Sequence, residues 1–387
     1  MTAQQARKAQ RELPGGPEQA EQPDGTDRAH RPDLLYSETE TDLRAAVRAL
    51  VADRAAPADL PGRVEDGGMD PALWKALAAD MGTAGLLVPE ELGGQGASHR
   101  EAAVVLEELG RAVTPVPYLT SAVVATEALL AAGTGTAADL LGDLAAGRRV
   151  AVLAVPLSAG PDHVPAADGT VGGVADAVHA DVLLVVRPDG LYAVDAADAS
   201  VVPRTPLDLT RPLATVTAEA GGTRLADAAA ARRAVRRGLL AGAGLLASEQ
   251  LGVAEWCLEE TVRYTRERHQ FNRPVGSFQA LKHRMAQLWL EVVGARAAAR
   301  NAADALAAGS PEAPLAVAVA QAYCSRVAVH AAEECVQLHG GIGMTWEHPA
   351  HLYLKRAKAD QTALGSAGRH KEELARLADL PAPSAST

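Results

Sequence analysis

The chain has 387 residues, enough for a substantial buried core and for two or three domains. Acidic residues outnumber basic ones 48 to 37, for a formal net charge of −11, and no run of Lys or Arg forms a basic stripe; this argues against a nucleic-acid partner and for small molecules or other subunits. Ala, Leu, Val and Arg are abundant and aromatics make up only 3%, as in a helix-rich protein.

The three cysteines, Cys257, Cys324 and Cys335, fall inside helical patterns without metal or redox spacing, and read as small buried apolar residues of a reduced compartment. The best apolar run, Ala122 to Ala132, is broken by Glu127 and is shorter than the ~18 residues of a membrane span. The N-terminus carries no apolar signal core. A cytoplasmic protein without a membrane partner is expected.

Residues 1–36 are rich in Gln, Glu, Pro, Gly and Asp and have little to bury, which predicts a disordered tail. From 37 to 147 apolar residues recur every three or four positions (Leu43, Val47, Leu50, Val51; Leu73, Leu77, Met81), which predicts a helical domain. It is interrupted by the glycine-rich stretch Gly85-Leu-Leu-Val-Pro-Glu-Glu-Leu-Gly-Gly-Gln-Gly96, whose glycines can also be read as ordinary turns. Between 148 and 222 short β-branched runs such as Val150–Val155, Ala180–Arg187 and Leu213–Thr217, separated by Gly, Pro and Asp, predict a small β domain. From 223 to 380 the pattern is helical again, with core stripes Leu251, Ala254, Leu258, Val262; Leu281, Met285, Leu288, Val292, Ala299; and Ser325, Val329, Ala332, Val336. Three such stripes predict a bundle closed by shorter helices, followed by a tail at 381–387. On the polar face of the first long helix, where Glu255, Glu259, Arg263 and Glu267 fall, Glu259 and Arg263 are spaced to pair.

Two stretches in this last region carry chemistry: Arg268-His-Gln-Phe-Asn-Arg-Pro-Val-Gly-Ser-Phe-Gln279 and Gln337-Leu-His-Gly-Gly-Ile-Gly343. A guanidinium forks onto phosphate oxygens, and glycines let bare backbone approach an anion. Each alone also fits a plainer reading, a glycine C-cap or a cation beside the last helical carbonyls. His348 and His351 could share a metal, but without a set of carboxylates around them they read as solvated histidines.

Taken in order, Arg-x-x-Phe-x-x-Pro-x-x-x-Phe-Gln, a helix, then Gln-x-x-Gly-Gly-x-Gly-x-Thr-Trp-Glu-His resembles the C-terminal domain of the acyl-CoA dehydrogenase family of flavoproteins. The Gly85–Gly96 stretch and the helix after it resemble that family's N-terminal domain. The resemblance implies a mainly α fold with a small β domain: an N-terminal helical domain, a middle β-sheet domain and a C-terminal four-helix bundle. It implies FAD, with Arg268, Phe271, Gln279, Gln337, Leu338, His339, Gly340, Gly341 and Ser366 as the cofactor-binding set, and an acyl-CoA thioester as substrate. In the family, Arg268-type and Gly-Gly elements reach across a subunit interface and serve the neighbour's FAD.

The sequence departs from the family in two places. The middle-domain segments that hold the flavin ring are matched by Ala154–Gly160 and Gly173–Val178, without the family's threonines and tryptophan. The reaction needs a carboxylate to take the α-proton while a hydride leaves the β-carbon. The C-terminal Glu position holds Leu364, in Ala363-Leu-Gly-Ser366, and the alternative position on the long helix holds Gly242, so no catalytic base is expected. Elements serving a neighbour survive while those serving the chain's own chemistry are lost. The leading expectation is therefore the base-less subunit of a hetero-tetramer (α2β2) with a homologous dehydrogenase. The alternatives are a self-sufficient dehydrogenase, assembling with itself, with Glu249 as a relocated base (Asp360 being a weaker candidate), or a flavin-free structural subunit.

Overall fold

Ser37 opens the helical part of the chain with a capping box: its side chain accepts the Glu40 amide hydrogen while the Glu40 carboxylate accepts that of Ser37, which fixes the start of α1 (Glu38–Arg54). The structure is a computed structural model, described over residues 32–380 except 66–68, 134 and 163–168. The expected tails therefore lie outside the described residues at 1–31 and 381–387. Residues 33–36, counted as tail from composition, are instead tied down: Arg100 Nη2 donates to the Leu35 carbonyl at 2.7 Å, and the Tyr36 hydroxyl donates to Glu107 at 2.5 Å. A short terminal segment can be ordered by partners distant in sequence, which composition does not reveal.

α2 (Leu60–Glu65), α3 (Pro71–Lys75), α4 (His99–Arg111), a π-type helix at Tyr118–Ala125 continuing into α5 (Thr126–Ala132), and α6 (Ala138–Ala145) complete the first helical region. A second capping box, Ser98 with Glu101, starts α4. The glycine-rich stretch before it folds back on itself, with the Gln95 and Ala97 amides donating to the Gly85 and Leu86 carbonyls.

The β region contains β1 (Ala151–Leu153), β2 (Thr170–Ala175), β3 (Val182–Arg187), β4 (Gly190–Asp195), β5 (Ser200–Arg204), β6 (Leu213–Thr217) and β7 (Thr223–Asp227). They form a four-stranded sheet ordered β1-β3-β4-β7, in which only the β1/β3 pair is parallel, and an antiparallel sheet ordered β2-β6-β5. β7 pairs with β4, so the sheet runs past the expected boundary at 222. With Thr, Arg and Asp among its five residues, β7 carries too weak an apolar signal to be read alone.

The Asp227 carboxylate accepts the Ala230 amide hydrogen and starts α7 (Ala228–Glu267), whose 40 residues make a rod about 60 Å long. A hairpin of β8 (His269–Gln270) and β9 (Arg273–Pro274) turns the chain into α8 (Gln279–Ala307), followed by α9 (Ala313–His339), a 3₁₀ turn at Gly340–Met344, α10 (Ala350–Asp360) and α11 (Ala367–Leu377). α7, α8 and α9 pack together as the expected bundle, closed by α10 and α11. Leu251, Ala254 and Leu258 are buried as expected, as are Leu288, Val292, Ala299, Ser325, Val329 and Ala332.

α7 also crosses α4 at unusually short range: a Cβ on Gly252 would lie 2.0 Å from the Glu107 carbonyl oxygen, and one on Gly110 would lie 2.1 Å from that of Glu249. These two glycines let the backbones touch. Glu255 is not on a solvated face but buried, held by Arg44, Arg111 and Arg296 from three other helices. Arg263 pairs with Glu260 and Glu267, while Glu259 goes to Arg111, so the expected Glu259–Arg263 pair is not made. Among the described residues one helical stretch, Ala313–Met344, is long and apolar enough by length and composition to cross a membrane, and 67% of its apolar window is buried inside the protein.

Candidate functional site

Arg268 caps the end of α7, its amide donating to the Tyr264 carbonyl, and its side chain is exposed. Phe271 and Asn272 form the hairpin tip with φ of 53° and 58°, and Phe271 is 84% exposed, touching Phe278 edge-on. Arg273 covers the Phe278 ring at 3.8 Å, so Phe278 packs while Phe271 does not. Gln279 begins α8 and is exposed.

The second stretch comes to the same end of the bundle: the His339 ring stacks on Tyr264, one turn before Arg268. Gln337, Gly340 and Gly341 are exposed and Leu338 is half-buried. Gly340 has φ +65°, a conformation that favours glycine, and a Cβ built on either glycine would meet nothing within 4 Å. The backbone there is bare and open, as a phosphate requires. This end of the molecule fits the nucleotide half of an FAD.

His339, expected with this set, turns inward. Its Nδ1 lies 2.6 Å from the Cys335 carbonyl oxygen, and its ring contacts His348 at 4.3 Å between centroids. Burial disfavours its charged form, but the Cys335 sulfur and the Glu260 carboxylate prevail and lift its pKa to about 9. Ser366 is at a different place, where its hydroxyl accepts the Arg369 amide hydrogen and caps α11.

The two expected base positions meet in space. A Cβ on Gly242 would lie 3.1 Å from Leu364 Cδ1, so both chain positions address the same point. Leu364 is buried, has φ +52°, and is fixed on both sides: its amide donates to the Leu157 carbonyl at 2.7 Å and its own carbonyl lies 3.1 Å from His370 Nε2. Leu157 in turn donates to the Gly173 carbonyl at 2.8 Å, so both flavin-ring segments of the middle domain are brought together as the resemblance implies. Between them and Leu364 remains an apolar cavity of about 30 Å³, lined by Leu119, Val124, Leu153, Pro156 and Leu239 among others. That is room for about one water molecule. This inner gap by itself is too small for an isoalloxazine; the Ala154–Gly160 segment also borders two larger clefts.

Glu249 is buried in a cluster of charges. Arg211 Nη2 donates to both its oxygens at 2.7 and 2.8 Å, and Arg356 Nη1 donates at 2.6 Å. Arg356 also holds Asp208, and Arg211 Nη1 holds Asp360 at 2.6 Å. Burial opposes ionisation of Glu249, but the two arginines keep its pKa below the usual carboxylate value. A carboxylate held ionised and fully bonded is a poor proton acceptor, so this position does not suit a relocated base. Asp360 is pushed the other way, to about 8, by burial and then by the charge of Glu249. Neither Arg211 nor Asp208 was singled out from sequence. The available signal was a pair of opposite charges three residues apart, in Asp208-Leu-Thr-Arg211, within the β region.

Two larger clefts flank Asp162, which pairs with Arg236 at 2.6 Å. One, about 430 Å³, is bordered by Gly160, Leu240, Gly365, Arg369 and His370; the other, about 670 Å³, by Pro156, Val171, Arg187, Arg232 and Val235. Both have apolar walls; the rim of the first mixes Asp162, Glu372 and Glu373 with Arg369 and Arg376, whereas arginines dominate the second.

Residues 37–148 match the N-terminal domain of the acyl-CoA dehydrogenases and residues 215–378 match their C-terminal domain. The acyl-CoA dehydrogenase IpdE2 of Mycobacterium tuberculosis is 39% identical over 336 residues, covering 87% of this chain and 95% of that protein. Among solved structures, a chain of the ChsE4-ChsE5 complex from Mycobacterium tuberculosis superposes with a TM-score of 0.77 at 30% identity, over 90% of this chain and all of the other. A chain of the Tcur3481-Tcur3483 steroid ACAD (G363A variant) does so with a TM-score of 0.77 at 29% identity, over 88% and 98%. Joined to the helix–sheet–helix order and to the open glycine turn beside Arg268, these matches make the chain a member of the acyl-CoA dehydrogenase family, FAD-dependent oxidoreductases of lipid metabolism that act on CH–CH bonds.

Proposed function

We propose that this chain is the base-less subunit of a hetero-oligomeric acyl-CoA dehydrogenase, and that it completes the nucleotide half of an FAD site whose ring half and catalytic carboxylate belong to a homologous partner. One observation carries the reading. Arg268 and Gly242 are separated by 26 helical steps of α7, about 39 Å, further than one extended FAD can span. The open phosphate cradle and the seat beside Leu364 therefore cannot serve the same cofactor molecule.

The α,β-dehydrogenation of an acyl-CoA thioester removes a proton from the α-carbon and a hydride from the β-carbon, and FAD, when bound, accepts the hydride. Leu364 offers no atom to take the proton. In this reading Arg268 and the Gly340–Gly341 amides hold phosphate oxygens, and Gln279 and Gln337 flank the nucleotide. The exposed apolar residues Trp289, Leu290 and Val293 on α8 support a subunit contact on this side of the bundle. One of the similar solved chains belongs to the ChsE4-ChsE5 complex, which further supports a partner.

The test is to produce the chain alone and together with a homologue that keeps the glutamate, then measure bound flavin and dye-linked oxidation of acyl-CoA thioesters, a steroid-bearing one included. Flavin and turnover are expected only in the mixed assembly, and loss of flavin is expected there on Arg268→Ala. Full activity of the chain alone refutes the proposal. Unchanged flavin in the Arg268→Ala assembly removes the cradle, and a mixed assembly without flavin leaves only a structural role.

A further inference from the structure

We propose that Glu260, His339 and His348 form a binding site for a divalent transition-metal ion, with zinc the best match to its donors. The three come from different elements: Glu260 from the last third of α7, His339 from the end of α9, and His348 from the loop before α10. Their ligand atoms all lie within 4.8 Å of one another. Glu260 Oε1 is 3.3 Å from His348 Nε2 and 3.8 Å from His339 Nε2. A tetrahedral zinc with bonds of about 2.0–2.1 Å holds its ligand atoms about 3.4 Å apart, so small side-chain shifts close the triangle.

His339 supplies the second, independent observation. Its side chain is fully buried, and its Nε2 has no hydrogen-bond partner although it points toward Glu260 and His348. A buried polar atom left unpaired is costly, and an ion would satisfy it. Nδ1 meanwhile faces the Cys335 carbonyl, an outer partner that orients a metal-bound imidazole and leaves Nε2 as the ligand atom.

Arg263 is the competitor, since it donates to both oxygens of Glu260. Its side chain is 55% exposed and also pairs with Glu267, so it can withdraw without being stranded. His351, the neighbour suggested by sequence spacing, stands edge-on to Trp346 at 4.8 Å and is not part of the triangle. With three protein ligands, a fourth position would be left for water. A bound ion would tie α7 to the residue directly before Gly340, clamping the glycine turn. The site does not depend on the subunit role proposed above.

The experiment uses the full chain, stripped with a chelator, dialysed and titrated with zinc chloride against a chromophoric chelator; cobalt(II) reports coordination through its visible spectrum. One ion per chain and a four-coordinate cobalt spectrum are expected. Glu260→Gln and His348→Gln, whose side chains are 14% and 13% exposed, should each weaken binding about a hundredfold or more, while His351→Gln leaves it unchanged. Circular dichroism of the metal-free variants checks that they fold. No stoichiometric zinc in the wild type, undiminished binding in either ligand variant, or equal loss in His351→Gln would overturn the site.

Discussion

Replacing Glu249 with Gln, alone and together with Asp360→Asn, probes the buried cluster between the β region and α7. Two arginines, Arg211 and Arg356, contact three carboxylates, Glu249, Asp208 and Asp360. With the Asp360 pKa raised to about 8, that carboxyl carries a proton near neutral pH, and two cations then face two anions. Glu249→Gln removes one anion and, with it, one of the two leading causes that hold Asp360 neutral. Arg211, 2.6 Å away, then favours its ionisation, and the balance is restored. The single change is therefore expected to cost about 1–3 kcal/mol, the worth of charged hydrogen bonds, rather than the full penalty of a stranded buried charge. Asp360→Asn replaces a group that is already neutral and should cost about 1 kcal/mol or less. The double variant has no carboxyl left to respond and should lose about 5 kcal/mol. Urea unfolding at neutral pH, with unchanged m, measures all three, and the excess of the double over the sum should be at least about 1 kcal/mol. Additivity within about 0.5 kcal/mol would refute the compensating proton. In the mixed assembly, turnover per folded enzyme should be unaffected by Glu249→Gln; its abolition would bring back the relocated base.

Gly252→Ala puts a Cβ 2.0 Å from the Glu107 carbonyl oxygen and forces α4 and α7 apart. It should cost about 3 kcal/mol in denaturant unfolding, whereas Gly62→Ala in α2, with nothing within 4 Å of the added carbon, should cost nothing. Burial opposes ionisation of Glu40, yet hydrogen bonds from Arg100 and Arg300 take its pKa from 4.5 down to about 2. A folded pKa below the unfolded one means stability present above pH 4.5 and lost as pH falls toward 2, so denaturation midpoints should decline over that window and decline less in Glu40→Gln. Leu364→Glu restores a carboxyl in an apolar, buried seat. It should lower stability by about 3 kcal/mol or more at pH 8 and still give no dye-linked oxidation in the chain alone, because the middle-domain ring contacts are missing.

The helical stripes were legible because each depends on local periodicity. Leu251, Ala254 and Leu258 all face the core, and the β-branched runs became strands. The glycine turn and Arg268 were legible as a motif, and their meeting at one end of the bundle follows from the parallel run of α7 and α9, which α8 joins by running back antiparallel to both. Long-range electrostatics were not legible. Glu255 looks solvated on a helical wheel, but arginines from α1, α4 and α8 converge on it, and nothing in the local sequence predicts that convergence. His339 fails for the same reason: its position in the motif is right, but its ring direction is set by Cys335, Tyr264 and His348. The contact between Gly242 and Leu364 explains in structural terms why a proton acceptor on either chain segment can address one substrate carbon.

The uninterrupted helix of α7 acts as a ruler. Each residue inserted or deleted between Gly242 and Arg268 would turn one end relative to the other by about 100° and displace it by about 1.5 Å. A single-residue length change would therefore aim the guanidinium away from its target even though every side chain survived. Two subunits built on this frame can exchange side chains freely, but they must agree on one count of peptide units.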